Sequence, residues 1–101
     1  MDSAQYAWAV GLYEGEGYAG IYGGYSRLGI EMTDKDAIER FAEVFPGGNL
    51  RSRQRGCWKR TYEYRISKKS IVQKTLAQML PLLCNRRAHK ALDILDQIEC
   101  N

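Results

Sequence analysis

The chain has 101 residues, 45% of them hydrophobic and 27% charged, with a formal net charge of +3; this is the composition of a globular domain and not of a disordered segment. We predict one domain over residues 1–101, because autonomous domains commonly have roughly 100–150 residues. No apolar run approaches the roughly 20 residues that cross a bilayer, and the first residues carry no basic cluster of a secretory signal. We therefore expect an intracellular protein without a membrane partner.

Hydrophobic periodicity and turn residues predict the element order α-β-β-α-β-β-α-α. Thr33 or Asp34 is placed to cap the second helix, Pro46-Gly47-Gly48 ends it, and Pro81 separates the last two helices. The predicted elements are, in chain order, a helix over residues 4–15, strands Tyr18–Tyr25 and Arg27–Thr33, a helix Lys35–Val44, an arginine-rich hairpin, a helix from Ser67 or Ser70 to Met79, and a helix Asn85–Ile98.

Positive charge is concentrated in the predicted hairpin. Residues 51–69 hold eight basic residues against Glu63 alone, whereas the first fifty residues hold eight acids and three bases. Arg51, Arg53 and Arg55 occupy alternate positions and would share one face of a strand. Arginine forks suit guanine edges and phosphates, and a two-stranded ribbon fits the major groove. A nucleic-acid-binding face is favoured, with a merely solvated charged face as the alternative.

The first helix carries an unusual row of small residues. Gly11 and Gly15 each cost about 1 kcal/mol relative to alanine in a helix interior, and they extend a row that begins at Ala4 and Ala7. A face without side chains permits close approach of another backbone. Because no second helix of this chain carries a matching row, we predict a two-fold homodimer through this face. Packing against a bulky neighbour within the chain is the alternative.

Two carboxylates lie at the end of the same helix. Glu14 and Glu16 are placed where the helix dipole is negative, so the helix end repels both carboxylates unless a cation is bound. A dimer whose small-residue rows meet would bring the two copies of Glu16 close together. Hard divalent cations take carboxylate oxygens, so this helix end is a candidate metal site. By contrast, Cys57, Cys84, Cys100 and the lone His89 match no zinc or disulfide spacing, and we expect free thiols.

The segment Ala9-Val-Gly-Leu-Tyr-Glu-Gly-Glu-Gly17 resembles the nine-residue signature of the LAGLIDADG homing endonucleases, in the single-motif form that acts as a homodimer. The element order and the segment Leu80-Pro-Leu-Leu-Cys-Asn-Arg-Arg-Ala-His-Lys90 are also similar to the family, so the resemblance covers nearly the whole chain. It implies an α+β fold of the order α-β-β-α-β-β-α(-α), with the helices on one face of an antiparallel, saddle-shaped sheet.

The resemblance implies a site-specific endonuclease that hydrolyses phosphodiester bonds in double-stranded DNA at a long, nearly palindromic site. Mg²⁺ or Mn²⁺ would support cleavage, and Ca²⁺ would bind without supporting it. The resemblance also implies a link to an intron and an intracellular location, in the cytoplasm of a prokaryote or phage host or in an organelle. The alternatives are a binding-only relative, either an RNA maturase or a DNA-binding regulator, and a half-domain that works with a different chain. The presence of the acid Glu16 favours the nuclease.

The resemblance also implies roles for individual residues. Glu16 would ligate the catalytic metals together with the backbone carbonyl of Gly15. Arg86 stands where the family often has a lysine near the scissile phosphate, and Asp34 where a polar residue helps to order the hydrolytic water. The dimer interface would contain Ala7, Gly11, Glu14 and Gly15. The DNA contacts would come from outward strand positions and basic residues near the strands: Tyr22, Tyr25, Arg27, Glu31, Arg51, Arg53, Arg55, Lys59, Glu63, Arg65, Lys68 and Lys69.

Overall fold

The computed structural model describes residues 3–54 and 56–100, apart from the side chain of Cys100. The predicted thiol of Cys100 and the predicted DNA contact of Arg55 therefore lie outside the described residues. The elements are α1 (Ser3–Glu16), β1 (Gly17–Tyr22), β2 (Tyr25–Met32), α2 (Lys35–Val44), β3 (Asn49–Arg53), β4 (Thr61–Ile66), α3 (Lys69–Met79), a 3-10 turn (Leu80–Leu82) and α4 (Asn85–Cys100). The predicted element order is confirmed.

The four strands form one antiparallel sheet in the order β1-β2-β4-β3. In this sheet Leu28 lies opposite Ile66, and Ile30 lies opposite Tyr64. Directly opposed residues share a face, and these four side chains are at most 2% exposed. The helices pack on this face, with α1 and α3 against β2, α2 against β4 and α4 against β1. The predicted α+β class, with the helices on one face, is confirmed.

A tyrosine joins the second helix to the sheet. The hydroxyl of Tyr64 donates to the carbonyl of Phe45 at 2.5 Å and accepts from the backbone N–H of Gly48 at 2.8 Å. Phe41 packs edge-on against the Tyr64 ring, with 6.0 Å between centroids. These hydrogen bonds hold the chain on both sides of the Pro46-Gly47-Gly48 turn. The turn leads the chain from α2 into the arginine-bearing strand β3.

The first hairpin turns earlier than predicted. Gly23 and Gly24 have φ values of 58° and 86°, the two left-handed positions that a two-residue hairpin turn requires. Strand β1 therefore ends at Tyr22 and not at Tyr25. The prediction failed because tyrosines on both sides of the turn continue the strand-like composition.

The start of α3 also differs from the prediction. Lys68 occupies the N-cap position and makes no side-chain capping hydrogen bond. Neither Ser67 nor Ser70 serves as the cap, so this helix begins without the local signal that the sequence suggested.

None of the helices in the described part of the chain is long and apolar enough to span a membrane. The predicted free thiols Cys57 and Cys84 are exposed and form no disulfide.

Candidate functional site

The face of the sheet that points away from the helices carries most of the predicted DNA contacts. Arg51 and Glu31 both lie opposite Glu63 on β4, so the outward positions of three strands stand side by side. We call this surface the open face; it comprises the outward positions of β1 (18, 20, 22), β2 (25, 27, 29, 31), β3 (49, 51, 53) and β4 (61, 63, 65). The strand register brings together on it Tyr22, Tyr25, Arg27, Glu31, Arg51, Arg53, Glu63 and Arg65.

Three polar side chains on the open face were not among the predicted DNA contacts. Tyr18, Asn49 and Thr61 share the outward positions of their strands with the predicted contacts. The alternation of β1 contains the signal for Tyr18, because it lies four residues before Tyr22. Asn49 and Thr61 lie at the first positions of β3 and β4, where the sequence does not fix the strand boundary.

The cations of the open face are densest at the β3 edge and in the hairpin loop. Arg51 and Arg53 are exposed. In the loop, Arg60 donates to the hydroxyl of Ser52 at 3.0 Å and to the side-chain carbonyl of Gln54 at 3.2 Å. Lys59 lies beside the open face, in a shallow cavity that it shares with Glu31, Arg53, Trp58 and Thr61. This edge presents several positive charges to solvent, as a phosphate-binding surface does.

The two remaining predicted lysines lie off the open face. Lys68 precedes α3 and Lys69 begins it, and Lys69 borders a cavity that also contains Tyr25 and Ser26. They therefore lie at the end of the sheet, near the turn between β1 and β2. The structure does not bring them together with the arginines of β3.

Hydrogen bonds hold the carboxylate of Glu63 at the centre of the open face. Tyr18 donates to Oε2 of Glu63 at 2.7 Å, and Nη2 of Arg65 donates to Oε1 at 3.1 Å. Glu63 is only 9% exposed. Burial, together with the hydrogen bond to Glu63, raises the pKa of Tyr18 to about 12. The tyrosine therefore keeps its proton, and its hydrogen bond, at neutral pH.

The two glutamates at the end of α1 have different surroundings. Oε1 of Glu14 accepts from the backbone N–H of Cys84 at 2.6 Å, and its Oε2 lies 3.9 Å from Nε of Arg87. Glu14 is thus turned toward the start of α4 in its own chain, and its place at a dimer interface stays a prediction. Glu16 is exposed, and within residues 3–54 and 56–100 no hydrogen bond or ion pair holds it.

The small-residue row of α1 faces solvent. Ala4, Ala7, Gly11 and Gly15 are all exposed. Apart from its chain neighbours and the backbone of its own helix, a Cβ placed on Gly11 or Gly15 would meet no described atom within 4 Å. Among the described residues no bulky side chain covers this row, which argues against the alternative that it packs within the chain.

An open cleft lined with cations lies beside the end of α1. Arg87 donates from Nη1 to the carbonyl of Gly17 at 2.7 Å, and its guanidinium lies over the ring of Tyr13 at 5.3 Å from the centroid. Burial raises the pKa of Tyr13 to about 12, in spite of the nearby Arg87. The cleft, of about 330 Å³, is lined by Tyr13, Gly17, Tyr18, Ala19, Arg86, Arg87 and Lys90.

Two arginines are adjacent at the start of α4, and the sequence analysis predicted a functional role for Arg86 alone. Arg86 is exposed on the cleft, whereas Arg87 is half-buried and bonded to the end of α1. Successive helix positions differ by roughly 100°, so only one of them can face α1. Which one does so depends on the rotation of α4 against the sheet, and the local sequence does not determine that rotation.

Asp34 has a structural contact. As the N-cap of α2, it accepts from the backbone N–H of Ala37 at 3.4 Å, which confirms the predicted capping role. In the part of the chain that the structure describes, no hydrogen bond or ion pair joins Asp34 to Glu16. Its predicted role in ordering a water stays a prediction.

The donors at the end of α1 fit a hard divalent cation. The carboxylate of Glu16 and the carbonyl of Gly15 are oxygen ligands of the kind that Mg²⁺ prefers. The described residues contain no cluster of three or more histidine, cysteine or acidic side chains able to hold a metal. Two oxygens do not fill the coordination shell of a divalent cation, so phosphate oxygens, waters or a second chain would have to complete it.

The chain has the fold of a homing endonuclease. The homing endonuclease I-CvuI in complex with its target, in the presence of 2 mM Ca, matches 95% of this chain with a TM-score of 0.81 and 20% identity. The same enzyme in complex with the I-CreI target and 2 mM Mg, with DNA not cleaved, matches 95% of the chain with a TM-score of 0.76 and 18% identity. The homing endonuclease I-TnaI matches 93% of the chain with a TM-score of 0.68 and 22% identity.

The chain spans 66% of the length of the matched I-CvuI chains and 70% of the I-TnaI chain. No protein-family model matches the sequence. No curated protein matches it either. The predicted homing endonuclease fold is confirmed by these structures.

Proposed function

We propose that this chain is a site-specific endonuclease that cuts double-stranded DNA as a homodimer with a divalent metal ion. The observation that carries the proposal is the open face, an uncovered antiparallel sheet with arginines at alternate positions, on a fold shared with DNA-bound homing endonucleases. The exposed carboxylate of Glu16 at the end of α1 supports the hydrolytic part of the proposal, because it would hold the metal ion.

The open face would lie along the major groove. Exposed arginines such as Arg51 and Arg53 can donate two hydrogen bonds to a guanine edge, and an exposed carboxylate such as Glu31 can accept from the amino group of cytosine. The basic hairpin loop and Lys59 would contact phosphates and position the protein on the duplex. A mixture of acids and bases on one surface favours sequence readout over binding to phosphates alone.

The small-residue row of α1 would form the dimer interface. Its exposure and its lack of Cβ atoms at Gly11 and Gly15 allow a second α1 helix to approach closely. In a two-fold arrangement the same surface meets itself, and the two copies of Glu16 then lie near the axis. A two-fold dimer reads a nearly palindromic site, with one open face on each half.

The reactive centre would form where the two α1 helices end. Glu16 and the carbonyl of Gly15 would hold Mg²⁺ or Mn²⁺, and Ca²⁺ would bind at the same oxygens without supporting cleavage. The bound ion would supply Lewis-acid stabilisation of the charge that develops on the phosphate. Arg86, exposed on the cleft beside β1, would add electrostatic stabilisation of that charge. Asp34 would accept a hydrogen bond from the attacking water.

Selection of bound sequences from a randomised duplex DNA library, with Ca²⁺ present, tests the recognition half of this proposal. We expect enrichment of one long, nearly palindromic sequence, and its loss in an Arg51→Ala, Arg53→Ala double variant. An Arg40→Ala, Lys74→Ala variant removes the same amount of charge from α2 and α3, away from the open face and from the cleft, and serves as the matched control. Stronger binding to structured RNA than to any duplex would instead favour the maturase alternative.

A further inference from the structure

We propose, on the basis of the function inferred above, that Glu63 does not read a base but anchors Tyr18 and Arg65, so that the three side chains act as one base-reading unit at the centre of the open face. The unit joins β1 to β4 across the intervening strand β2. Its reading group is the guanidinium of Arg65, and Glu63 and Tyr18 are positioning residues. The substrate feature that it recognises is a hydrogen-bond acceptor on a base edge in the major groove.

The contacts of Glu63 leave it little capacity for DNA. Its Oε2 accepts from Tyr18 at 2.7 Å, and Nη2 of Arg65 lies 3.1 Å from Oε1 and 3.4 Å from Oε2. The side chain of Glu63 is 11% exposed and that of Arg65 is 22% exposed. Both carboxylate oxygens are therefore occupied and largely covered, whereas a group that reads a base must present a free donor or acceptor to the groove.

The geometry of Arg65 leaves one part of its fork for DNA. Nη2 is engaged by Glu63, and Nε is buried with no hydrogen-bond partner among the described residues. Arginine has five N–H donors in a rigid plane, so the Nη1 amino group is the part left to contact a base. Fixing one edge of the plane on Glu63 determines the direction of the other, because the guanidinium does not flex.

Glycine at position 29 makes this arrangement possible. A Cβ at Gly29 would first meet the backbone carbonyl of Tyr64, and it would also lie 2.8 Å from the hydroxyl oxygen and 3.0 Å from Cζ of Tyr18. The tyrosine ring therefore passes directly over β2 at the one outward position without a side chain, and so reaches Glu63 on the far side. Tyr18 and Arg65 both flank Gly29 in the strand register, which places all three members of the unit around it.

Glu31 shows by contrast what a reading carboxylate looks like on the same surface. It lies directly opposite Glu63 across the β2–β4 pair, yet it is exposed and has no ion pair among the described residues. Two facing carboxylates destabilise a sheet when both are free. The positive charge of Arg65 offsets that of Glu63, and Glu31 remains as the carboxylate available to a cytosine amino group.

The test measures base preference at every position of the selected site for Arg65→Ala, Glu63→Gln, Tyr18→Phe and the matched control Glu31→Gln. Each variant's thermal unfolding is recorded first; Tyr18→Phe removes only a hydroxyl and so tests the unit even where Glu63→Gln unfolds. We expect Arg65→Ala to reduce discrimination about 5-fold or more at one position of each half-site. Glu63→Gln and Tyr18→Phe reduce it at that same position, and neither adds to the effect of Arg65→Ala.

Glu31→Gln, in contrast, alters preference at a different position and leaves the Arg65 position unchanged. A Glu63→Gln variant that changes preference at a position of its own, additively with Arg65→Ala, would show that Glu63 reads a base and would overturn the inference. A Tyr18→Phe variant with an unchanged profile would also overturn it. If the wild-type protein enriches no duplex sequence at all, the proposed function fails and the inference fails with it; the two failures are thus distinguishable.

Discussion

Glu14 and Glu16 lie on either side of Gly15 in the sequence, but the helix directs their side chains into different surroundings. At roughly 100° per residue, Glu14 is directed toward the start of α4, where Cys84 and Arg87 hold its carboxylate. Glu16 lies on a different side of the same helix end and is exposed. One short segment therefore provides an acid that is held by α4 and an acid that is exposed.

Arg53 allows a direct test of base recognition by a single residue of the open face. It is exposed on the open face opposite Thr61. If it contacts a base with both fork nitrogens, Arg53→Ala should cost about 1–3 kcal/mol of discrimination at one base position in each half-site. Base-preference profiling of the variant against wild type measures this. An unchanged profile would place that strand face away from DNA.

Two tyrosines make the stability of the fold sensitive to alkali. Burial raises the pKa of Tyr13 and of Tyr18 to about 12, from an ordinary value of 10.0. Between these values the unfolded chain has released protons that the folded chain retains, so the free energy of unfolding should fall as pH rises from about 10 to about 12. Below about pH 10 the contribution of both groups is fully present.

Urea unfolding at pH 9, 10, 11 and 12 checks this expectation. The Tyr18→Phe variant should show a smaller loss of stability across that window than wild type. Tyr25→Phe, which alters an exposed tyrosine on the same face, is the matched control and should behave as wild type does. Equal slopes for wild type and Tyr18→Phe would contradict the burial of the Tyr18 hydroxyl.

Among the elements, α2 shows what local sequence determines. Its bounds, Lys35–Val44, agree with the prediction, because an Asp34 cap, a regular spacing of Ile38 and Phe41, and a Pro-Gly-Gly ending all lie within a few residues. The sequence of β4 alternates in the same way, with Tyr64 and Ile66 on the buried face and Glu63 and Arg65 on the open face. Signals that act over short distances along the chain were sufficient for these elements.

Contacts between elements could not be predicted in the same way. The sequence gives no sign that Arg87 and not Arg86 meets the end of α1, nor that Tyr18 crosses β2 to reach Glu63. Both contacts join residues far apart in the chain, with sequence separations of 70 between Arg87 and Gly17 and 45 between Tyr18 and Glu63. They depend on strand register and helix rotation, which only the packed core determines.

The Arg87 contact should stabilise the junction between α1 and α4. Replacing Arg87 by alanine removes its hydrogen bond to Gly17 and leaves Glu14 without its cation, which should lower the free energy of unfolding by about 1–3 kcal/mol. Arg86→Ala removes the same group from an exposed position and should change stability by less than about 0.5 kcal/mol. Denaturant unfolding of the two variants compares them, and equal losses would contradict the assigned contact.

At the scale of the whole molecule, the exposed row on α1 predicts a dimer. Gly11→Leu fills that row and should convert the dimer to a monomer of 11.6 kDa. Because leucine is a better helix former than glycine, the monomer should remain folded, so loss of the dimer cannot be ascribed to unfolding. Light scattering measures the mass, with Ala77→Leu on the exposed side of α3 as the matched control.

A wild-type protein that is strictly monomeric at micromolar concentration would contradict the dimer. A Gly11→Leu variant that remains dimeric would show that a different surface forms the interface. Single-chain features, such as the open face and the cleft beside α1, do not depend on this outcome. The position of the two Glu16 side chains relative to each other does, since only the dimer axis brings them together.

The nuclease proposal is tested most directly by cleavage of the selected duplex with Mg²⁺, comparing wild type with Glu16→Gln. We expect wild type to cut both strands at a fixed position within the site. Glu16→Gln should bind the same site with similar affinity and leave it intact, because the amide cannot supply the carboxylate charge that a divalent ion requires. Full cleavage by the Glu16→Gln variant, or specific binding without cleavage by wild type in either Mg²⁺ or Mn²⁺, would contradict the proposal.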